Sequence, residues 1–218
     1  MRFWIVGTDT DVGKTTVSAW ICYHTKYPYW KPVQTGCNIS EESATTTTAF
    51  HLEGSDSNTV MRLSGTVAYP ESYVFRDPLS PHIASVNEGR EVVLSNIQIP
   101  YSRNLLIEGA GGLMVPMNDK TLYVDFIKGT GLPVILVART KLGTINHTCL
   151  SVEALRTRNI ELLGVVMSGE KNADNARSIE KYASVRILGE LGYMKKVNKE
   201  HIAASSFPVE LRDLLESA

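Results

Sequence analysis

The sequence has few of the features typical of secreted, membrane or nucleic-acid-binding proteins. It has only 3 cysteines, and their odd number and spacing favour free buried thiols in a reducing compartment over disulfides or zinc. The formal net charge is −1 and no block of like charges occurs, which argues against nucleic acid or an anionic membrane as a partner. The N-terminal apolar run is too short for a signal peptide or a membrane span. We therefore expect a cytoplasmic protein whose partners are small molecules or a second copy of the chain.

Length and hydrophobic periodicity predict one α/β domain. With 218 residues, of which 43% are hydrophobic, the chain can bury one substantial core, so we expect a single domain over residues 1–218. Apolar runs rich in β-branched residues recur, each followed by glycine or polar residues and a helix-like stretch, which predicts a mostly parallel sheet with helices on both faces. The predicted strands are residues 3–6, 105–107, 133–138 and 162–167, with shorter ones at 29–33 and 185–188.

The segments between these strands are read mainly as helices. The predicted helices are residues 14–25, 58–64, 82–88, 122–128, 145–159 and 173–182. Residues 66–81 contain three prolines and are interpreted as an irregular connection, and the threonine run at 45–48 as loop or helix end. Ligands of open α/β sheets bind beyond the carboxyl ends of the strands. Polar residues that follow a predicted strand are therefore the first candidates for function.

The most informative segment follows the first predicted strand. Residues 7–16 read Gly-Thr-Asp-Thr-Asp-Val-Gly-Lys-Thr-Thr, a variant phosphate loop with one residue more between its glycines than the common form. Backbone N–H groups of such a turn bind phosphate, the lysine reaches the outer phosphates, and the hydroxyl after it ligates Mg²⁺. A plain strand-to-helix turn is the less favoured alternative. The predicted nucleotide-binding residues of the loop are Asp11, Val12, Gly13, Lys14, Thr15 and Thr16.

Two carboxylates are candidates for holding Mg²⁺ beside Thr15. Glu108 ends the predicted strand at 105–107, where a carboxylate is costly unless it has a cationic partner. Asp56 precedes a predicted helix and is the second candidate. Each residue has an alternative interpretation: Asp56 as the N-cap of that helix, and Glu108 as an acceptor for backbone N–H groups of its own glycine-rich turn.

Lys31 and the glycine-rich run at 109–112 complete the predicted site. Lys31 follows two aromatic residues and precedes Pro32, which places it at an ordered strand end, although a surface lysine fits the same pattern. The run at 109–112 lets a ligand approach the backbone closely, and a plain tight turn uses the same residues. His82 and His147 have no nucleophile or metal-ligand set around them in the sequence, and we interpret them as structural.

Seven motifs occur in register along most of the chain. They are Gly-Thr-Asp-Thr-Asp-Val-Gly-Lys-Thr at 7–15, Lys-Pro-Val-Gln-Thr-Gly at 31–36, Ser-Pro-His-Ile-Ala-Ser at 80–85, Val-Asn-Glu-Gly-Arg at 86–90, Glu-Gly-Ala-Gly-Gly at 108–112, Leu-Pro-Val-Ile-Leu-Val at 132–137 and Lys-Leu-Gly-Thr-Ile-Asn-His at 141–147. Together, and with the longer phosphate loop, they resemble the dethiobiotin synthetases, the ATP-dependent enzymes that form the ureido ring in biotin synthesis.

The resemblance implies a P-loop NTPase-like fold and a specific reaction. One amine of 7,8-diaminononanoate takes up CO₂ as a carbamate, a carbamate oxygen attacks the γ-phosphate of MgATP, and the second amine closes the ring with loss of phosphate. The family is homodimeric, and the helix that starts near Asn146 in one subunit is expected to bind the substrate carboxylate held mainly by the other.

Residue roles follow from the same resemblance. Lys14 and Lys31 would be catalytic, because they neutralise phosphate and carbamate oxygens. Mg²⁺ would bind Thr15, Asp56 and Glu108, and Glu108 would also contact the nucleotide. The implied substrate-binding residues are Thr10, Lys31, Thr35, Gly111, Gly112 and Asn146. Ser168 would face the base, where relatives often have asparagine, and Gly192 stands where relatives tend to have proline.

Two other classes of nucleotide-dependent protein share part of this set of motifs. Partition and positioning ATPases also carry a phosphate loop, but they usually have a second lysine near its start, where this chain has Thr8, Asp9, Thr10 and Asp11. Amidoligases of the cobalamin pathway need a glutamine-hydrolysing cysteine domain, for which 218 residues leave no evident room. Both classes remain alternatives to the dethiobiotin synthetase reading.

Overall fold

A parallel seven-stranded sheet forms the centre of the protein. The computed structural model describes residues 1–37 and 54–216. The strands in this part of the chain are β1 (Arg2–Gly7), β2 (Tyr29–Trp30), β3 (Val33–Gln34), β4 (Ala68–Tyr69), β5 (Tyr73–Val74), β6 (Leu105–Gly112), β7 (Val134–Arg139), β8 (Leu162–Gly169) and β9 (Ile187–Gly192). Their order in the large sheet is β4-β2-β6-β1-β7-β8-β9, and β3 and β5 form a small sheet of their own.

All strand pairs in both sheets are parallel, which requires a crossover between each pair of neighbours. Helices supply most of these crossovers. The described helices are α1 (Lys14–Thr25), α2 (Asp56–Ser64), α3 (Pro81–Asn87), α4 (Tyr123–Thr130), α5 (Thr144–Thr157), α6 (Ala173–Ala183), α7 (Lys199–Ala204) and α8 (Val209–Glu216), with a short 3-10 helix at Leu94–Asn96.

Alternating residues of the central strands divide the core into two layers. In β1, Trp4 and Val6 pack in one hydrophobic cluster, while Phe3 and Ile5 pack in the other. The first cluster includes side chains of α4, α5 and α6, and the second includes side chains of α1, α2, α7 and α8. The sheet therefore carries helices on both faces, which confirms the predicted α/β P-loop class of fold.

Several predicted element boundaries are wrong, for identifiable reasons. The predicted strand at 29–33 is split, because Pro32 has no N–H for a ladder, and its two ends belong to different sheets. Residues 66–81 are not wholly irregular, since they contain β4 and β5. The last predicted strand, at 185–188, is shifted to Ile187–Gly192. Helices α7 and α8 had not been predicted.

Other expectations concern single residues or the whole chain. All three cysteines are free, and two of them, Cys22 and Cys37, are buried. The threonine run at 45–48 lies outside the described residues. In the part of the chain that the structure describes, none of the helices has the length and apolar character that a membrane span needs. The single domain over residues 1–218 stays a prediction.

Candidate active site

The phosphate loop joins the end of β1 to the start of α1, as predicted. Gly13 is the N-cap of α1 and has φ +95°, a conformation that favours glycine. Gly7 is required for space, since a Cβ there would lie 2.6 Å from the Asp9 carbonyl oxygen and 2.9 Å from Lys14 Nζ. Lys14 Nζ donates a hydrogen bond to that same carbonyl, at 3.0 Å, and the side chain is buried. The loop is thus closed around its own lysine.

Glu108 lies inside a strand and not at its end. Strand β6 continues to Gly112, so residues 109–112 are part of the strand and not a plain tight turn, although the pairing with β1 is irregular there. Glycine is needed at 111, where φ is +62° and a Cβ would lie 2.9 Å from Val115. The carboxylate of Glu108 is therefore completely buried in the middle of the sheet.

Side chains from three segments satisfy this buried carboxylate. Thr15 Oγ1 lies 2.9 Å from Glu108 Oε1, and Ser18 Oγ donates to Oε2 at 2.7 Å. Tyr29 Oη also donates to Oε2, at 3.1 Å. Lys31 Nζ lies 3.5 Å from Oε1. These contacts replace the alternative in which Glu108 accepts hydrogen bonds from its own glycine-rich segment.

Asp56 joins the same cluster from the start of α2. Its Oδ1 lies 2.9 Å from Thr15 Oγ1, and its Oδ2 accepts a short hydrogen bond from Lys31. Ser55 and not Asp56 caps the helix, because Ser55 Oγ accepts from the Asn58 N–H at 3.1 Å. The N-cap interpretation of Asp56 is therefore wrong, and the carboxylate is available to the site.

Gln34 fixes the start of α2 relative to the small sheet. Its Oε1 accepts from the Asp56 N–H at 3.1 Å, and its Nε2 donates to the Thr35 carbonyl at 2.7 Å. The side chain is buried, so these hydrogen bonds are shielded from water. Gln34 thus couples Asp56 to the segment that carries Lys31 and Thr35.

The cluster keeps Lys31 and Asp56 charged. Burial alone would raise the pKa of Asp56, but the charge of Lys31 and the hydrogen bonds from Lys31 and Thr15 outweigh it and lower that pKa. Burial alone would lower the pKa of Lys31, but Glu108 and Asp56 raise it above its ordinary value. For Lys14, burial outweighs the attraction of Glu108, so its pKa is lowered. Within the part of the chain that the structure describes, Lys14 forms no ion pair, whereas Lys31 forms two.

Most of the predicted site residues line one cavity of about 620 Å³. Its walls include the loop, the Lys31 segment, the start of α2 and the glycines of β6. The predicted residues found there are Thr10, Asp11, Gly13, Lys14, Thr15, Thr16, Lys31, Thr35, Asp56, Glu108 and Gly111. The cavity is therefore an open chamber with two lysines, three carboxylates and several hydroxyl groups.

A second cavity, of about 780 Å³, lies beyond the carboxyl ends of β7 and β8. It shares Asp11 and Gly13 with the first cavity and adds Val12 and Ser168. A Cβ at Gly13 would lie 2.5 Å from Ser168 Oγ, so the hydroxyl packs directly against the phosphate loop. Tyr193, which is 68% exposed, also lines this cavity. The location, beside the loop and beyond two strand ends, suits a nucleotide base.

The structure separates Asn146 from the other predicted residues. Gly112 and Thr10 line a third cavity, of about 450 Å³, with His147 of α5. Asn146 is exposed in the first turn of α5 and is not among the lining residues of these three cavities. His147 and His82 each have a hydrogen-bond partner, Arg139 and Ser80 respectively, which agrees with a structural role.

The donor set fits Mg²⁺ bound together with a phosphate. Within residues 1–37 and 54–216, no three His, Cys, Asp or Glu side chains cluster closely enough for an all-protein metal site. Mg²⁺ beside a nucleotide needs only one or two carboxylates, a hydroxyl, phosphate oxygens and water. Thr15, Asp56 and Glu108 supply the protein part of that set, since the Thr15 hydroxyl contacts both carboxylates.

Sequence reasoning missed four residues that shape this site. They are Ser18, Tyr29, Gln34 and Ser55. Ser18 had a signal, since it is three residues after Thr15 and therefore on the same face of α1, within an otherwise apolar stretch. Tyr29 and Gln34 had none, because their roles depend on which strands become neighbours.

Comparison with solved structures supports the fold. The chain is similar to a ParA family ATPase from Chlorobium tepidum, with a TM-score of 0.54, 10% identity, and coverage of 92% of this chain and 95% of the other. It is similar to a plasmid partition protein from Borrelia burgdorferi bound to AMPPNP, with a TM-score of 0.53, 10% identity, and coverage of 100% and 99%. At such identities the similarity shows the fold alone.

Comparison with known sequences is more specific. A family model described as an AAA domain matches residues 1–201. The ATP-dependent dethiobiotin synthetase of Lawsonia intracellularis is 41% identical over 214 residues, which cover 98% of each chain. The enzyme of the same name from Paramagnetospirillum magneticum is 43% identical over 201 residues and 91% of each chain. The one from Cytophaga hutchinsonii is 39% identical over 97% of each. The chain belongs to the family of ATP-dependent dethiobiotin synthetases.

Proposed function

We propose that this chain closes the ureido ring of dethiobiotin from 7,8-diaminononanoate, CO₂ and ATP in the cavity beside the phosphate loop. The proposal rests on the observation that one cavity is lined by two lysines, a hydroxyl and two carboxylates that suit this chemistry, namely Lys14, Lys31, Thr15, Asp56 and Glu108. Phosphoryl transfer asks a protein mainly for positioning and charge neutralisation, and this set provides both. Family membership and near-complete coverage of the relatives support the same reaction.

The two lysines have separate tasks in this proposal. Lys14 binds the outer phosphates, and their negative charge compensates the positive charge of this buried lysine. Lys31, which is charged and nearly buried, faces the carbamate oxygen that attacks the γ-phosphorus. Bond formation there breaks the bond to ADP and leaves a carbamic–phosphoric anhydride. The second amine then attacks the carbamoyl carbon, and phosphate leaves.

The remaining predicted residues bind the substrates. Thr15, Asp56 and Glu108 would hold Mg²⁺, which when bound neutralises charge on the β- and γ-phosphates. The backbone of residues 11–16 binds the phosphates. The residues proposed for the diamine and its carbamate are Thr10, Thr35, Gly111 and Gly112, which line the first and third cavities.

The alternative classes have weaker support. The similarity to partition ATPases is confined to the fold, and the start of the loop has acidic and hydroxyl residues where those proteins usually have a second lysine. Two of the three cysteines that a glutamine-hydrolysing centre could use, Cys22 and Cys37, are buried, and Cys149 is half-buried. The cytoplasmic location stays a prediction.

The first prediction tests the reaction itself. Phosphate release from MgATP should require both the diamine and CO₂, because the acceptor is a carbamate and not water. The assay follows phosphate with each substrate omitted in turn, and mass spectrometry identifies the ring-closed product. Full phosphate release without the diamine would overturn the enzyme assignment and favour a nucleotide switch.

The second prediction concerns Lys31. Its replacement in Lys31→Ala removes a charge-assisted contact to the reacting oxygen, so kcat should fall by about 10²-fold or more. Lys128→Ala, which removes an exposed lysine in the last turn of α4, is the control and should keep normal turnover. Circular dichroism checks that both variants are folded. The structure already contradicts the surface-lysine interpretation, because Lys31 is buried. Near-normal kcat in folded Lys31→Ala would limit Lys31 to a structural role as the ion-pair partner of Asp56 and Glu108.

The third prediction concerns the base. The Ser168 hydroxyl is both donor and acceptor and its proton rotates, so it cannot select one base edge as an asparagine amide does. GTP and CTP should therefore support turnover within about tenfold of ATP. The measurement is kcat/KM for each nucleotide, with Ser168→Asn for comparison. A preference for ATP above about a hundredfold would show that other groups read the base.

The fourth prediction concerns a homodimer with shared sites. The first turn of α5 has an αL glycine as N-cap, no acidic residue and an exposed Asn146, so its positive end is open to a carboxylate held by a second subunit. Mixed dimers of Lys14→Ala and Asn146→Ala then contain one intact site. Equal mixing should restore about one quarter of the wild-type activity.

The control mixture is Lys14→Ala with Lys31→Ala. Both residues serve the same site, so no mixed dimer of these variants has an intact one. Subunit exchange is verified with differently tagged chains. Failure of the first mixture to recover after verified exchange would remove Asn146 from the partner's site.

A further inference from the structure

The two oxygens of the Glu108 carboxylate have different surroundings. Oε1 faces the first cavity, 2.9 Å from Thr15 Oγ1 and 3.5 Å from Lys31 Nζ. Oε2 faces the core, where it accepts hydrogen bonds from Ser18 Oγ at 2.7 Å and Tyr29 Oη at 3.1 Å. Oε2 is therefore fixed by hydrogen bonds on the core side, and Oε1 is directed toward Thr15 and Lys31.

Ser18 and Tyr29 reach Oε2 from two different elements, helix α1 and strand β2. Ser18 lies on α1, one turn after Thr15, so the hydroxyls of Thr15 and Ser18 both point at the Glu108 carboxylate. Tyr29 lies on β2, in register with Leu106 of β6. Both residues are fully buried, as is Glu108. Water cannot compete for these two hydrogen bonds, which therefore fix the rotation of the carboxylate.

The choice of partner by Ser18 is informative. A serine inside a helix commonly bonds back to the carbonyl four residues earlier, as Ser64 does with Val60 at 2.7 Å. Ser18 donates to Glu108 instead. A purely local role for the hydroxyl does not explain this contact, whereas a need to orient the carboxylate does.

We propose that Ser18 and Tyr29 are positioning residues that hold Glu108 with a single oxygen, Oε1, directed at the divalent cation of the nucleotide complex. The inference rests on the proposed function for the cation site formed with Thr15 and Asp56. A preset single-oxygen ligand suits Mg²⁺, which demands near-octahedral geometry and tolerates little adjustment. Groups that orient a metal ligand in this way commonly change metal affinity by about 10- to 100-fold when they are removed.

Matched variants separate positioning from simple loss of stability. Tyr29→Phe and Ser18→Ala each remove one hydrogen bond to Oε2. Tyr27→Phe removes a buried tyrosine hydrogen bond to the Leu215 carbonyl, and Ser64→Ala removes a buried helical serine hydroxyl. Both controls lose a similar bond at a place that does not contact Glu108.

The main measurement is the binding of AMPPNP by calorimetry as Mg²⁺ is varied, without the diamine. Tyr29→Phe and Ser18→Ala should each raise the Mg²⁺ concentration for half-maximal binding by about tenfold. The affinity for AMPPNP in the presence of EDTA should stay unchanged, because the phosphate loop is intact. The Mg²⁺ dependence of turnover should shift in parallel. The two control variants should show no shift.

Two results would overturn the inference. One is an unchanged Mg²⁺ dependence in a folded Ser18→Ala or Tyr29→Phe protein; either variant suffices if the other does not fold. The second is an equal shift in the control variants, which would indicate a general loss of stability. Failure of the wild-type protein to make dethiobiotin is a different result, because it would overturn the proposed reaction while Mg²⁺-dependent AMPPNP binding still tests Ser18 and Tyr29.

Discussion

A negative charge without solvent contact, on Glu108 in the middle of a parallel sheet, is the constraint on which the rest of the site depends. A buried carboxylate is unfavourable unless hydrogen bonds and a cation compensate it. Here the compensation comes from α1, from β2 and from Lys31 just after β2. Segments that are distant in the sequence must therefore come together correctly for this one charge to be tolerated.

The same constraint prepares the site for phosphate chemistry. Lys31 lies between two carboxylates, so it is held charged and in place without any ligand. Among residues 1–37 and 54–216, Lys14 forms no ion pair, and it donates a hydrogen bond to the neutral Asp9 carbonyl of its own loop. In the proposed reaction a bound triphosphate would place its negative charge beside Lys14, and Thr15, Asp56 and Glu108 would hold the divalent cation. Little reorganisation is needed, which is the condition for strong electrostatic stabilisation.

The sequence predicted those parts of the site whose residues are close along the chain or belong to recognisable motifs. The phosphate loop, Lys31 and the set Thr15, Asp56 and Glu108 lie together as expected. The position of Glu108 inside β6 was not predicted, because the glycines after it look like a turn until the close neighbours of the strand are known. Tyr29 was not predicted, because its contact depends on the pairing of β2 with β6, two strands that are far apart in the sequence.

The errors in the predicted secondary structure have the same origin. The strand ending near Pro32 divides between two sheets because its second half pairs with β5, in a segment whose prolines suggested irregular structure. Helices α7 and α8 are short and owe their stability to apolar contacts with α1 and β9, which no local pattern reveals. Periodicity identified the long central elements, and packing decided the peripheral ones.

Phosphate and base recognition are under unequal physical constraint in this chain. In the first cavity, Lys31, Asp56 and Glu108 compensate one another in a buried cluster, so replacement of one leaves its partners uncompensated. In the second cavity, Ser168 is only half-buried and packs on Gly13 of the loop. A larger side chain at 168 must turn away from Gly13, so it can alter base contacts without disturbing the phosphate loop. The structure accordingly constrains the side chain at 168, in the second cavity, less than it constrains the fully buried cluster around Glu108.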